Sequence, residues 1–464
     1  MRLDFSKIKK VYIIGIKGSG VVAVVEILSG MGIEVLGSDT KEIFFTDKIL
    51  KKLGIKYFEN FSSANIPANT DLIIHSTAYN EKNNPEMEEA KKRKLPIISY
   101  PEILGYLFNQ KYGLAVCGTH GKTTTSAMLA ETLSFIGKNP CAVVGSKVIN
   151  WGGNALFGEG EFFVAEADEY QNKLQYYSPK GIILTSADFD HPDFFKDFLS
   201  YKKVFKEFVA RVPKSGFLVV WGDNVDTLEI AQSCKANVFQ YGFNRDCDYR
   251  IENYELKNGE NLKPSQFFEV FSKKKSLGNF EISLVGKHNV LNATSVIASC
   301  YHLGLNLKNV AEALKNFQGT SRRFEYIGER NGAILIDDYG HHPEEIQATL
   351  SGARQIYPQK NIWAIFQAHT FTRTKALLSE FSQSFFDANK VIVLDIYGSA
   401  REFQGGVHSQ DLVDAINKFE QGKAFYLATV VEAAQYLKDK IGENDVVITI
   451  GAGNGWEVVE KLKE

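Results

Sequence analysis

The segment that most constrains this chain is Cys117-Gly118-Thr119-His120-Gly121-Lys122-Thr123-Thr124-Thr125, which follows an apolar run at 113–117 and precedes a helical pattern reaching residue 137. A strand that breaks at glycines and re-forms at once as a helix belongs in a parallel sheet with helical crossovers. Glycines at the turn let backbone N–H groups crowd around one anion, and the positive end of the helix dipole favours it further. Lys122 has the reach for the β- and γ-phosphates of a nucleotide, and the Thr123 hydroxyl suits a Mg²⁺ ion held beside them. Val116 stands where the first glycine of the G-x-x-x-x-G-K-[ST] pattern belongs, so the match is incomplete. The plainer alternative is a glycine turn that only starts a helix. A lysine backed by three threonines and preceded by a strand favours the phosphate reading.

The 464 residues suggest about three domains, at roughly 150 residues each. Apolar runs at 11–16, 33–37, 71–76 and 95–99 predict strands, with a helix over 20–32. The segment 100–111 leads to the new beginning at 113, and further strands are expected at 161–166, 181–185 and 217–220. The polar, Lys- and Asn-rich stretch 249–275 reads as an excursion of hairpins and loops, and 284–305 as helix. A third block opens near Ser321, with strands at 333–337, 361–366, 390–394 and 446–450 and helical patterns between. This alternation predicts an α/β fold with parallel sheets. Boundaries near 105 and 321 divide it into 1–105, 106–320 and 321–464.

A content of 44% hydrophobic and 23% charged residues is enough for several cores. The net charge of -2 gives no general attraction to nucleic acid or anionic membrane, so a polyanionic ligand must be met by local groups. The cysteines (117, 141, 234, 247 and 300) are odd in number and form no C-x-x-C pair, which favours reduced thiols in a cytoplasmic protein. The lysines ahead of Val11-Tyr12-Ile13-Ile14 mimic a leader, but glycines interrupt the apolar run too soon, so it reads as a first strand. No apolar run reaches the roughly 18 residues that a spanning helix needs.

Phosphoryl chemistry also needs metal ligands from elsewhere in the chain. Glu166-Ala167-Asp168-Glu169 follows one expected strand, and Asp188-Phe189-Asp190-His191-Pro192-Asp193 follows another. Carboxylates at the carboxyl ends of parallel strands fall where ligands sit in such sheets. The plainer alternative is that Asp188 or Asp190 simply caps a helix, but two clusters after two strands, both downstream of a phosphate loop, favour Mg²⁺ sites.

These residues, with Gly286-Lys287-His288-Asn289-Val290-Leu291-Asn292, Arg322-Arg323-Phe324, Asp337-Asp338-Tyr339-Gly340-His341-His342-Pro343 and Gln367-Ala368-His369-Thr370-Phe371-Thr372-Arg373-Thr374, resemble the Mur ligases of peptidoglycan synthesis. The likeness runs in the family's order from about residue 11 to Asn454. It implies a Rossmann-like UDP-binding domain, a central P-loop ATPase-like domain with a mixed, largely parallel sheet, and a C-terminal Rossmann-like domain for the amino acid. It also implies an ATP-dependent ligase that joins L-alanine to the lactyl carboxylate of UDP-N-acetylmuramate through an acyl phosphate. ATP and Mg²⁺ are the implied cofactors, the partners are small molecules with no nucleic acid or membrane, and the chain is expected as a monomer or homodimer.

The resemblance assigns Gly118, Thr119, His120, Gly121, Lys122, Thr123 and Thr124 to the ATP phosphates. Asn289 and Asn292, with His288 nearby, fall to the adenine pocket, and Arg323 and Asp338 to the phosphate and ribose. Thr123 and Glu166 would hold one Mg²⁺ and His191 a second. Gly18, Ser19, Gly20, Asp39, Ser76 and Thr77 fall to the UDP substrate, and Tyr339, His341, His369 and Arg373 to the amino acid. Arg373 would pair the substrate carboxylate, a role that suits a guanidinium fork. Lys122, Arg323 and His341 are the implied catalytic groups, although His341 and His369 stay open as alternatives for the amine's proton.

The sequence departs from the family in places. Lys17 replaces a glycine and would touch the pyrophosphate or face solvent; Val21 replaces a methionine, Ala368 a proline, and Thr370 an arginine of one branch. The preference among alanine, glycine and serine is therefore open. One rival is a recycling ligase that adds a preformed tripeptide to the same nucleotide. A more distant one is an NAD-dependent oxidoreductase, since Gly15-Ile16-Lys17-Gly18-Ser19-Gly20 with Asp39 makes a weak dinucleotide fingerprint, although such an enzyme has no need of Lys122.

Overall fold

The structure is a computed structural model that describes residues 5–44, 46–190, 194–258, 264–398 and 405–463. Its strands form three sheets of five, ten and six strands. The central strands are largely buried apolar runs, as parallel strands covered on both faces by helices must be: Val11, Tyr12, Ile13 and Ile14, for example, have no exposed surface, and Gly181–Leu184 and Asp445–Ile450 are buried throughout.

The first sheet is parallel throughout, in the spatial order Lys56–Phe58, Glu34–Ser38, Lys10–Ile14, Leu72–His75, Ile97–Ser99. The chain winds outward from Lys10–Ile14 on one side and then on the other, so the order reverses at that strand. Gly15 leaves it with φ +79°, and a Cβ there would lie 2.7 Å from Tyr79 Cε2 and 2.8 Å from Ser76 Cβ, so only glycine fits this turn.

The second sheet runs Lys275–Ile282, Pro264–Ser272, Tyr249–Asn258, Asn237–Gly242, Phe217–Trp221, Gly181–Leu184, Tyr112–Cys117, Phe162–Glu166, Cys141–Val148, Gly153–Leu156. Its centre is parallel and its two margins are antiparallel. The stretch expected as hairpins and loops at 249–275 does pair as antiparallel strands, Tyr249–Asn258 with Pro264–Ser272 and the latter with Lys275–Ile282, and these extend the sheet. Phe268 and Val270 are buried while Phe267, Glu269 and Phe271 are less so, the two-residue alternation of a half-covered strand. Here too the order reverses at one strand, Tyr112–Cys117, which lies between Phe162–Glu166 and Gly181–Leu184. A crevice at such a reversal is where open α/β sheets take their ligands.

The third sheet runs Glu325–Arg330, Ala333–Asp338, Asp445–Ile450, Asn361–Phe366, Lys390–Val393, Ala424–Tyr426, parallel except for the first pair. Helix Tyr100–Asn109 spans residue 105 without a break. It joins the first two sheets in one core, where Phe108 meets Phe163 edge-on at 5.6 Å. Among the described residues no helix is long and apolar enough to cross a membrane, and the five cysteines are free thiols, four of them buried.

Candidate active site

The phosphate loop leaves Tyr112–Cys117 at the reversal point and enters helix Lys122–Phe135. Gly118 has φ +130° and lies so close to residues 185–186 that a Cβ would come within 2.4 Å of Thr185 Oγ1. The neighbouring strand end then pins the loop: the Thr185 hydroxyl donates to the His120 carbonyl, His120 N donates to Ser186 Oγ (2.8 Å), and the Thr119 hydroxyl donates to the Asp188 carbonyl (2.7 Å). Gly121, with φ +80°, faces Asn292 of helix Lys287–His302. The loop is thus set by packing before any nucleotide arrives.

Lys122 Nζ donates to the Gly118 and Thr119 carbonyls and pairs with Glu169 (3.2 Å), whose fully buried carboxylate also accepts from the Tyr201 hydroxyl (3.0 Å). Burial works against the ammonium, but Glu169, Asp168 and Glu166 outweigh it and raise its pKa above the ordinary value, so Lys122 stays charged. The Thr123 hydroxyl donates to Glu166 Oε1 at 2.8 Å, and Glu166 Oε2 accepts from Gly145 N at 2.5 Å. A hydroxyl and a carboxylate oxygen side by side next to the phosphate loop are hard donors that suit Mg²⁺. His191, the other expected metal ligand, lies outside the described residues. Asp168 is engaged by Lys173 at 2.5 Å.

The third unit closes the site from above. Asp338 ends strand Ala333–Asp338, and its two carboxylate oxygens accept from Gly340 N and Phe324 N, both at 2.8 Å. Arg322 and Arg323 both lie over the Tyr339 ring, at 5.0 and 5.3 Å from its centroid. The Tyr339 and His341 rings meet edge-on at 5.4 Å, and the His341 and His369 rings at 6.2 Å. Burial pushes the His341 imidazole down to about 3, so it is neutral at ordinary pH. Arg373 Nη2 reaches Asp190 Oδ1 at 2.9 Å, both buried, and its Nε has no hydrogen-bond partner.

Sequence reasoning missed Glu345. Its carboxylate accepts from the backbone N–H of His341 (2.9 Å) and His342 (3.2 Å), pairs with His120 Nδ1 (3.0 Å) and lies 3.8 Å from Arg323. Burial opposes the charge, but His341, His120 and Arg323 hold this carboxyl well below its usual range. Its only signal in the sequence is its place three residues after His342 on a Pro-started helix, which reads as a cap.

These groups line one cleft of about 1190 Å³ between the three sheets. Its walls include Ser19, Gly20, Thr119, His120, Gly121, Lys122, Thr123, Glu166, Asp190, Arg323, Tyr339, His341, His369 and Arg373. A smaller cavity of about 250 Å³ adjoins it through His120, Gly121 and Thr123, and is lined by Thr124, His288, Asn289, Asn292, Asp338 and the rings of Trp221 and Tyr241. A flat base suits the smaller cavity, and a phosphate chain suits the passage between the two.

The expected UDP residues converge less well. Ser19 and Gly20 line the cleft, while Gly18 caps the helix Ser19–Gly30 behind them. Asp39 already accepts from Lys17 N (2.6 Å) and Thr40 N (2.8 Å), which ties its carboxylate to the loops. Ser76 and Thr77 follow Leu72–His75 across the reversal point, outside the lining of the large cleft. Lys17 corrects both expectations made for it: it neither faces solvent nor reaches the cleft. It is 2% exposed and turned inward, donating to the Thr40 (3.0 Å) and Glu42 (2.9 Å) carbonyls and pairing with Asp47 (3.1 Å).

Comparison with known proteins agrees with this layout. Residues 10–112 match the family described as Mur ligase family, catalytic domain; 116–300 match the Mur ligase middle domain; 322–453 match the Mur ligase, glutamate ligase domain. The chain is 39% identical to the UDP-N-acetylmuramate--L-alanine ligase of Desulfitobacterium hafniense, over 97% of this chain and 99% of that one. It is 38% identical to the enzyme of the same name from Alkaliphilus metalliredigens, over 99% and 98%. Among solved structures it resembles the UDP-N-acetylmuramate-alanine ligase MurC of Thermotoga maritima, with a TM-score of 0.83, 27% identity and 98% coverage of both chains.

Proposed function

Because the chain belongs to the Mur ligase family, we propose that it is an ADP-forming ligase that joins L-alanine to UDP-N-acetylmuramate in the synthesis of peptidoglycan precursors. The observation that carries this reading is one cleft that gathers Lys122, Thr123 and Glu166 from the middle unit with Arg323, His341 and Arg373 from the third. We place the enzyme in the cytoplasm, as a monomer or homodimer acting on small molecules.

A carboxylate resists amines because its oxygen is a poor leaving group. In the proposed reaction the lactyl carboxylate attacks the γ-phosphorus of ATP, the bond to the β-phosphate oxygen breaks, and ADP departs. The alanine amine then attacks the acyl phosphate carbon, the C–O bond breaks, and the phosphate that leaves carries away the proton lost by the nitrogen. Little covalent work falls to the protein, so catalysis is mostly alignment and charge neutralisation. Lys122 supplies a fixed positive charge at the β- and γ-phosphates, and Arg323 a second from across the cleft. Thr123 and Glu166 would hold Mg²⁺, which would supply further neutralisation of the phosphate oxygens. Arg373 offers its free Nε to the alanine carboxylate, while Asp190 fixes its other edge. His341, uncharged and beside His369, accepts a hydrogen bond from the amine without repelling it. Enclosure between the units keeps water from the acyl phosphate.

The test is phosphate release with ATP, Mg²⁺, UDP-N-acetylmuramate and single amino acids. Release that needs both the nucleotide and L-alanine supports the reading; release without the nucleotide sinks it. Dependence on a tripeptide instead of alanine supports the recycling reading, and alanine against glycine and serine fixes the preference.

A further inference from the structure

Where the third unit meets the middle one, two imidazoles to which the proposed reaction gives no proton-transfer role lie side by side. His120, on the phosphate loop, lies against His342, which precedes helix Pro343–Ile356, with ring centroids 5.2 Å apart. Glu344 joins them, and the ligand atoms of the three side chains lie within 4.8 Å of one another. His120 Nδ1 is committed to Glu345 at 3.0 Å, which in the neutral ring leaves the lone pair on Nε2. That Nε2 is buried and has no hydrogen-bond partner, and neither has Nδ1 of His342, which is 8% exposed. His342 also sits in capping-box geometry at the start of its helix, but no hydrogen bond satisfies its Nδ1, and a buried ring nitrogen left without a partner is costly unless something accepts it.

A carboxylate on the far nitrogen of a ligating histidine is the usual way in which proteins orient that ligand. Two imidazole nitrogens and one carboxylate oxygen suit borderline ions such as Zn²⁺ or Co²⁺, and suit Mg²⁺ poorly. The donors of Thr123 and Glu166 are of the opposite, all-oxygen kind. Asp188 Oδ2, 4.0 Å from His120 Nε2, adds negative charge, and exposed Glu344 gives an ion a way in.

We propose that His120, His342 and Glu344 form a site for a divalent transition-metal ion that bridges the middle and third units, separate from the Mg²⁺ site of the reaction. Full-length protein without substrates, in saturating Mg²⁺, is titrated with Co²⁺. The expected result is one Co²⁺ per chain with the strong visible absorption of a low-coordinate ion, displaced by Zn²⁺. Glu344→Gln weakens binding about tenfold or more, His342→Gln abolishes it, and Zn²⁺ raises the Tm of the parent protein only. No such absorption in the parent protein, or an unchanged affinity in Glu344→Gln, overturns the proposal. If circular dichroism shows that His342→Gln does not fold, the exposed Glu344→Gln decides alone.

Discussion

Arg373 Nη2 lies 2.9 Å from Asp190 Oδ1, so the side chain proposed to hold the amino acid also joins the third unit to the middle one. Arg373→Lys keeps the charge and loses the fork, which is worth about 1.5–3 kcal/mol for hydrogen bonds to a charged group. The expected outcome is an apparent KM for L-alanine raised roughly ten- to a hundredfold, with a smaller fall in kcat. Arg373→Ala adds a second effect: buried Asp190 loses the ion pair with Arg373, which costs up to about 3 kcal/mol and lowers Tm. Initial rates against L-alanine, together with thermal unfolding, separate the two, and an unchanged KM in both variants removes Arg373 from the amino-acid site.

Lys17 makes a prediction that its sequence position did not. Its inward-turned ammonium satisfies two carbonyls and Asp47 beneath the segment carrying Ile43 and Phe44, which line the cleft. Lys17→Met keeps the volume and strands those acceptors, at a cost of about 2 kcal/mol. We expect a lower Tm and a raised KM for UDP-N-acetylmuramate with the KM for ATP unchanged. Equal changes in both KM values would mean a general loss of structure.

Lys122 and Glu166 separate charge from metal. Lys122→Ala is expected to lower kcat by about a thousandfold or more, the scale of losing a preorganised charge at the transition state. Glu166→Gln instead shifts the Mg²⁺ dependence upward, with partial rescue at high Mg²⁺. Full activity at unaltered Mg²⁺ in the Glu166 variant would place the ion elsewhere.

Much of this was legible in the sequence wherever a backbone rule acted over a few residues. The phosphate loop was readable because glycines at 118 and 121 both take positive φ, and the strands ending at Asp338 and Phe366 because they are continuous apolar runs. Strands Cys141–Val148 and Gly153–Leu156 escaped because the apolar run of the first stops at Gly145-Ser146-Lys147, and the second is only four residues long, begins with glycine and asparagine, and owes its pairing to its place at the sheet edge. Glu345 and Lys17 escaped for a different reason. Their roles are set by partners far along the chain, His120 in one case and residues 40–47 in the other, and no local pattern announces such pairs.

The titrations around Glu345 give the protein two pH limbs. His341 is held at about 3 in the fold against 6.5 when exposed. As pH falls from 6.5 the unfolded chain takes up a proton that the native state refuses, and stability drops. Burial lowers His342 in the same sense, and Glu345, held well below its usual range, loses its contribution as pH falls through its folded value. His120 works in the opposite direction. Burial opposes its charge, but Glu345 and Asp188 raise its pKa above 6.5, so its contribution is complete below 6.5 and is lost as pH rises through the folded value. Tm measured across this range should therefore fall on the acid side, with a shallower fall in His341→Gln. Glu345→Gln should flatten the alkaline limb by removing His120's main partner. An acid limb of unchanged slope in His341→Gln would show that this imidazole is not the group held neutral.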